Sequence, residues 1–364
     1  MLDLGFKNNY QTVHLTPEIG KSSVGGICTF MNELYSKRND STGFVQIVGN
    51  VSSTIDKSLY TNIDNDTLII GLDEAGILGN INCSTLVVHF YFFGEFINET
   101  IINNKNIVYV IHSIQTTEPW DLADPFNNKL FQNNFEFLCN ISKKLICVSN
   151  AEKEKLIKIY PMFKDKIEVI YNGISFNSID TYNKNYENRR KVFGYIGRMD
   201  ICKGVYEMIK NLNDFDASLK IASGKPNSEL LQEIITYLKD TNSFNKVDFL
   251  GWCYDERKEN FFKSIDALII PSLYEPFGYI ALEAMKHGVP IISSNNGGLK
   301  EILGEDYRYL FNPYDDREFK RIIELFMSDE NHVIEEQLKK LKERLLSFST
   351  QNMVDNYNII LNEL

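Results

Sequence analysis

From end to end, short runs of β-branched and aromatic residues alternate with longer segments of helical periodicity. A parallel strand can be reached from its neighbour only through a crossover of a dozen or more residues, so this alternation predicts parallel sheets joined by helices. The chain is read as α/β. Strands are expected over residues 11–15, 44–51, 85–92, 106–113, 144–149 and 167–171, with a strand-like run at 67–71. A second set is expected over 191–196, 218–222, 247–250, 267–271 and 290–293. Between the sets, residues 175–190 are polar and lack apolar periodicity, which predicts a linker. After Asp315 the pattern is helical only, over 317–327, 333–346 and 351–361. Helices of this kind can pack back on the first half.

At roughly 150 residues per domain, 364 residues make about two domains, and 43% apolar residues suffice for two cores. The expected organisation is a first domain over 1–174, the linker 175–190, a second domain over 191–345 and a C-terminal helix over 346–364. Two doubly wound, Rossmann-like domains facing each other place strand C-terminal ends on both sides of one cleft, the expected ligand site. No repeat of 20–50 residues argues for a solenoid or propeller.

Thirty-eight basic against forty-nine acidic residues leave a net charge of −11, which excludes a protein-wide basic field for nucleic acid. The longest strongly apolar run, 85–93, is broken by His89 and falls short of the ~20 residues that cross a bilayer. Asp3, Lys7 and two asparagines occupy the place of a secretion signal's apolar core, so a cytoplasmic protein is expected. Six cysteines without a C-x-x-C pair read as reduced core or site-lining thiols, with neither disulfide framework nor zinc site. The sequons at Asn50, Asn98 and Asn140 carry little weight there. Five lysines over 153–166 admit two readings, a solvated face, which is preferred, or contact with an anionic inner membrane surface.

The most informative string runs Pro271-Ser-Leu-Tyr-Glu275-Pro-Phe-Gly278-Tyr-Ile-Ala-Leu-Glu283-Ala-Met-Lys-His-Gly288-Val-Pro290. A strand ends at Pro271, the chain turns through Pro276 and Gly278, and a helix runs from Tyr279 until Gly288 stops it. The start of such a helix offers N–H groups and a positive dipole end to an anion. Glu275 at the mouth and Glu283 one turn in are acceptors suited to the hydroxyls of a sugar and a ribose. Each alone also reads as a solvating or helix-favouring carboxylate.

A second string, Phe193-Gly-Tyr-Ile-Gly197-Arg198-Met-Asp-Ile-Cys-Lys203-Gly204, ends a strand and opens a helix. Arg198 and Lys203 are placed to neutralise a diphosphate whose charge grows as a bond to it breaks. In the first half, Gly25 and Gly26 lie between a strand and a helix, where paired glycines let a ligand approach backbone or simply form a flexible turn. Position 15 is Leu, so Gly20-Lys21-Ser22 is a fragment of a P-loop and ATP hydrolysis is not supported. No G-x-G-x-x-G follows a strand. His112 and His89 stand at strand ends, where a histidine binds hydroxyls, shuttles protons or is structural; His112 is favoured because a polar loop follows it. Asp64-Asn65-Asp66 has D-x-D spacing but precedes a strand, so a solvated turn is the better reading and no metal site is assigned.

Together these residues resemble the retaining glycosyltransferases of the family 4 type, with the GT-B fold, over nearly the whole chain. The most specific part is the E-x7-E string from Glu275 to Glu283, joined by Gly197-Arg198, Lys203-Gly204 and Gly25-Gly26. Val148-Ser149, Asn172-Gly173 and Gly297-Gly298 with Glu301-Ile302 match further landmarks. The resemblance implies that Glu275 contacts the transferred sugar, Glu283 binds the donor ribose, and Phe277, Gly278 and Tyr279 present backbone N–H groups. It further implies that Arg198 and Lys203 hold the leaving diphosphate and that His112 lies near the reacting sugar. The family's Asn-Gly is usually followed by an acid, whereas Ile174 and Ser175 follow here.

The expected reaction is transfer of a hexose from a nucleoside diphosphate sugar to an acceptor hydroxyl with retention, without metal or other cofactor, in glycan or glycoconjugate synthesis. The acceptor class stays open among sugars, glycans, lipid-linked and protein acceptors. An epimerase of the same fold would need a further acid/base array, which the sequence does not display. A sensor that binds sugar nucleotides and transfers nothing would keep the same site.

Overall fold

The computed structural model describes residues 9–19, 25–48, 66–114, 125–176, 186, 191–224 and 228–364. The chain divides into one unit of Met1–Ser175 with Ser349–Leu364, and a second of Phe176–Phe348. Most of the segment read as a linker lies outside the described residues.

In the first unit the strands are β1 (Tyr10–Thr16), β2 (Thr42–Val48), β3 (Thr67–Gly71), β4 (Cys83–Val88), β5 (Asn106–Ile111), β6 (Lys144–Cys147) and β7 (Ile167–Val169). They form a sheet ordered β3-β2-β1-β4-β5-β6-β7 in which every described pairing is parallel. Side chains of β1 are buried on both faces, as a central parallel strand requires. The helix Gly26–Ser36 buries Cys28, Phe30, Met31 and Leu34, the three-and-four spacing of one helical face. β4 stops before the expected end because His89 gives the last ladder bond, to the Leu15 carbonyl, at 3.0 Å. The aromatic run then folds into a short 3-10 stretch at Tyr91–Phe96.

The last helix, Thr350–Asn362, is capped by Ser349, whose side chain accepts from the Asn352 N–H. It belongs to the first unit for visible reasons. Thr350 donates its backbone N–H to the Ile174 carbonyl at 3.3 Å, and Tyr357 packs against Phe30 and His14. In place of an acid after Asn172-Gly173, Ser175 donates to Glu33 of the first helix at 2.6 Å, and Thr350 joins the same carboxylate.

The second unit contains β8 (Lys191–Ile196), β9 (Ala217–Ala222), β10 (Val247–Phe249), β11 (Ala267–Ile270), β12 (Ile291–Ser294) and β13 (Leu310–Phe311), ordered β10-β9-β8-β11-β12-β13 and again parallel. β13 is absent from the sequence expectations because two residues are too few for a period to register. Both sheets reverse their strand order once, between β1 and β4 and between β8 and β11. Such a switch point opens a crevice at the strand C-termini, where ligands of these folds bind. All six cysteines are buried thiols. Among the described residues no helix is long and apolar enough to cross a membrane.

Candidate functional site

At the second switch point, Ala267 and Leu268 of β11 lie opposite Phe193 and Gly194 of β8, so the loops leaving the two strands begin side by side. They are then laced together: Leu273 donates its N–H to the Cys202 carbonyl at 2.8 Å. Lys203, in the 3-10 turn Ile201–Lys203, thereby meets Glu275 from 72 positions away, with Nζ 2.8 Å from Oε2. Their side chains are only 17% and 15% exposed. Burial is the strongest single influence and pulls the Lys203 pKa down, but Glu275, Cys202 and Asp200 together outweigh it and hold Lys203 above the ordinary lysine value. Lys203 therefore stays a cation in a half-dry crevice.

Arg198 differs. Its side chain is 67% exposed, 3.1 Å from Asp200, an arrangement worth little in stability and easily exchanged for another anion. Its backbone is held instead, since Tyr195 donates its hydroxyl to the Arg198 carbonyl. Cys202 donates to Asp200 at 2.6 Å, which braces the same loop. Tyr195, Asp200 and Cys202 are supporting residues that the motif itself does not reveal, because their roles appear only once the loop is folded.

The loop from Glu275 to Gly278 is held from a third strand. Gly297, after β12, has φ +57°, and a Cβ there would stand 2.1 Å from the Glu275 carbonyl oxygen. Its neighbour Gly298 donates its N–H to that carbonyl at 3.0 Å. Gly278, at φ 115°, then opens the helix Tyr279–Lys286 and, as a glycine, brings no capping side chain of its own. Such a helix start offers its dipole to an anion beside Lys203 and Glu275. Phe277 is buried under it, and Tyr279 begins the helix.

Glu283 does not solvate a helix face, for its side chain is 14% exposed. Lys258, from the helix Asp255–Lys263, sits 2.6 Å from each carboxylate oxygen. It donates to Oε1 and is ion-paired with the buried Oε2, so one ammonium holds both oxygens. A carboxylate keeps further lone pairs, and ligand hydroxyls are donors suited to them. No spacing in the sequence could have paired Lys258 with Glu283.

The remaining candidates lie in the first unit. Gly25 caps the helix Gly26–Ser36 in extended conformation, and a Cβ on Gly26 would meet nothing within 4 Å, so neither glycine is demanded by its protein neighbours. Residues 20–24 lie outside the described residues. His112 follows β5, and the loop after it is fixed by buried Glu152, whose Oε2 accepts the Ile114 N–H at 3.1 Å. Ser149 caps the helix carrying Glu152 by accepting its N–H at 3.2 Å, which gives the Val148-Ser149 landmark a physical role. Of the D-x-D triplet only Asp66 is described, engaged by Tyr10 at 3.2 Å and Arg38 at 3.6 Å. In the lysine-rich stretch, Lys153 and Lys166 donate to backbone carbonyls and Lys155 to Glu152, so part of that charge serves the unit's own structure.

A family model described as Glycosyl transferases group 1 matches residues 179–345, and one described as Glycosyltransferase Family 4 matches residues 81–177. An uncharacterised glycosyltransferase of Methanocaldococcus jannaschii is 34% identical over 252 residues, covering 65% of this chain and 61% of that protein. The O-antigen chain mannosyltransferase RfbU of Salmonella typhimurium is 28% identical over 233 residues, covering 62% of each. The matches thus span about three fifths of these relatives' length. Among solved structures, Anabaena HepE in complex with UDP and glucose superposes with a TM-score of 0.78 at 16% identity, over 98% of this chain and 100% of that one. Sucrose-phosphate synthase from Thermosynechococcus elongatus gives 0.76 at 15% identity, over 97% and 98%. These likenesses establish the shared GT-B fold.

Proposed function

This chain belongs to the group 1, family 4-type glycosyltransferases of GT-B fold, and from that premise we propose that it transfers a hexose from a nucleoside diphosphate sugar to an acceptor hydroxyl, with retention at the anomeric carbon. The observation that carries this reading is the Lys203–Glu275 pair at the switch point beside a helix start. One member is a cation suited to phosphate, the other an acceptor suited to sugar hydroxyls, and their contact fixes the distance between the two tasks.

In the reaction the bond from the anomeric carbon to the diphosphate oxygen breaks and the acceptor oxygen bonds that carbon on the same face. The acceptor's proton passes to the departing phosphate oxygen. Charge accumulates on the diphosphate, where Arg198, Lys203 and the amides at Gly278 and Tyr279 stabilise it. Glu275 holds the hexose, and Glu283, oriented by Lys258, takes the ribose hydroxyls. No metal or organic cofactor enters the scheme. The donor to try first is a UDP-sugar, since the HepE structures hold UDP, glucose and UDP-glucose.

Arg198→Ala is the direct test. With its side chain mostly in solvent, the substitution should leave the melting temperature unchanged while cutting turnover about 10²-fold or more. Equal activity in the two proteins overturns the assignment. Incubation with radiolabelled UDP-, ADP- and GDP-sugars and product analysis separates transfer or slow donor hydrolysis from epimerisation and from binding alone.

A further inference from the structure

The three histidines of the first unit are placed by the sheet. His14 is on β1, opposite Val87 of β4, while His89 follows β4 and His112 follows β5. Adjacent strands are about 4.8 Å apart, so rings on one face of neighbouring strands come into contact. The ring centroids are 5.1 Å apart for His14 and His89 and 5.4 Å apart for His89 and His112. His14 Nδ1 is 2.8 Å from His89 Nε2, and His89 Nδ1 is 3.1 Å from His112 Nε2. Both links run from the δ nitrogen of one ring to the ε nitrogen of the next.

That head-to-tail order restricts the protons. A neutral imidazole has one N–H and one bare nitrogen, and each link needs one of each. If His14 donates, His89 must be bare at Nε2 and protonated at Nδ1, and His112 is then protonated at Nδ1. If His112 donates from Nε2, His89 and His14 must both carry their protons at Nε2. No other neutral arrangement makes both bonds, so the three rings share one tautomer and cannot change it singly. Phe30 and Phe44 pack against the chain, an apolar wall that disfavours a cation. Burial accordingly pulls His14 and His112 down to about 3, and burial with its two neighbours holds His89 well below its ordinary value.

We propose that His14 and His89 are positioning residues that lock His112 as a neutral imidazole of one tautomer, so that its outer nitrogen, Nδ1, meets a substrate hydroxyl with a fixed hydrogen-bonding sense. The role rests on the reading above in which His112 contacts the reacting sugar. The lock itself does not, because it exists in the protein without substrate. His112 is the member of the chain that is not fully buried, which leaves its end of the relay available to a ligand.

The experiment is nitrogen-15 NMR of histidine-labelled protein without ligand, from about pH 7.5 to about pH 5, paired with steady-state kinetics. The expected result is one protonated and one bare nitrogen on each of the three rings, in the same sense and unchanged over that range. His89→Phe keeps an aromatic of similar bulk and removes both links. It should let the His112 ring exchange between its two neutral tautomers, while the burial that keeps it uncharged is retained. Under the transferase reading, kcat should fall about tenfold with little change in donor KM. His89→Gln restores a donor and an acceptor on one planar group and should recover most of kcat and the single His112 tautomer. Mixed tautomers in the unaltered protein, a charged ring near pH 6, or His112 signals identical in His89→Phe would each overturn the lock. Normal kcat in His89→Phe with altered His112 signals overturns the functional role alone. Absence of transfer in every variant, with the relay signals intact, would count against the transferase reading and not against the lock.

Discussion

The two switch points are built on the same strand order and filled in opposite ways. Where β8 meets β11, charges are gathered and paired, Lys203 with Glu275 and nearby Lys258 with Glu283. Where β1 meets β4, three imidazoles are gathered and kept neutral. Parallel topology thus supplies a place, and the residue types at the strand ends decide its chemistry. A paired ion is stable in a crevice only while both partners are present, whereas a neutral relay is stable only while no proton is added.

The sharpest way to break this contrast is Lys203→Ala. It removes the cation proposed to face the diphosphate and strands Glu275, and a loss of transfer of about 10²–10³-fold is expected in a radiolabelled donor assay. Retained transfer would make the pair purely structural. Next in size is Gly297→Ala, which forces a side chain into a left-handed turn against the Glu275 carbonyl. It should destabilise by about 1–3 kcal/mol in chemical denaturation, with hydrogen exchange rising first around the Glu275 loop. An unchanged midpoint would mean that the loop adjusts freely.

Acid should act on the other switch point. The folded-state pKa values of His14 and His112, about 3, lie below the unfolded value, so the unfolded chain takes up protons that the folded one refuses. The stability this confers is complete above about pH 6.5 and is lost as pH falls toward 3, at about 1.4 kcal/mol per pH unit for each histidine involved. Hydrogen exchange at a series of pH values should show β1, β4 and β5 loosening along that slope, and replacing the three histidines by phenylalanine should flatten it. A slope unaffected by the replacement would contradict the burial of neutral rings. The smallest effect expected is that of Arg198→Ala on stability, within about 0.5 kcal/mol by thermal melting.

Much of this was legible before folding. The alternation of strand and helix foretold both parallel sheets, and the string from Pro271 to Pro290 foretold a strand, a turn at Gly278 and a helix start. Expected strands mostly overlap the observed ones; β4 is shorter because hydrogen bonding ends before the apolar run does, and β5 because it stops with its apolar run at Ile111, ahead of His112 and Ser113. Glu275, Arg198 and Lys203 were legible as residues, but not the 2.8 Å contact that joins two of them. Lys258 gave no signal, since a lysine on a charged helix resembles any solvated one. His14 gives no signal of its own, because it sits inside a strand pattern that its neighbours explain completely.

Element type, loop glycines and the kinds of chemistry on offer are local properties, set by side-chain periodicity and backbone sterics within a few residues, and so could be read directly from the order of amino acids. Which charge meets which carboxylate, and which histidine bonds which, depends on strand order and on the roughly 5 Å spacing between neighbouring strands. Residues far apart in the chain acquire those relations only when the sheets assemble, because no local force acts between them beforehand.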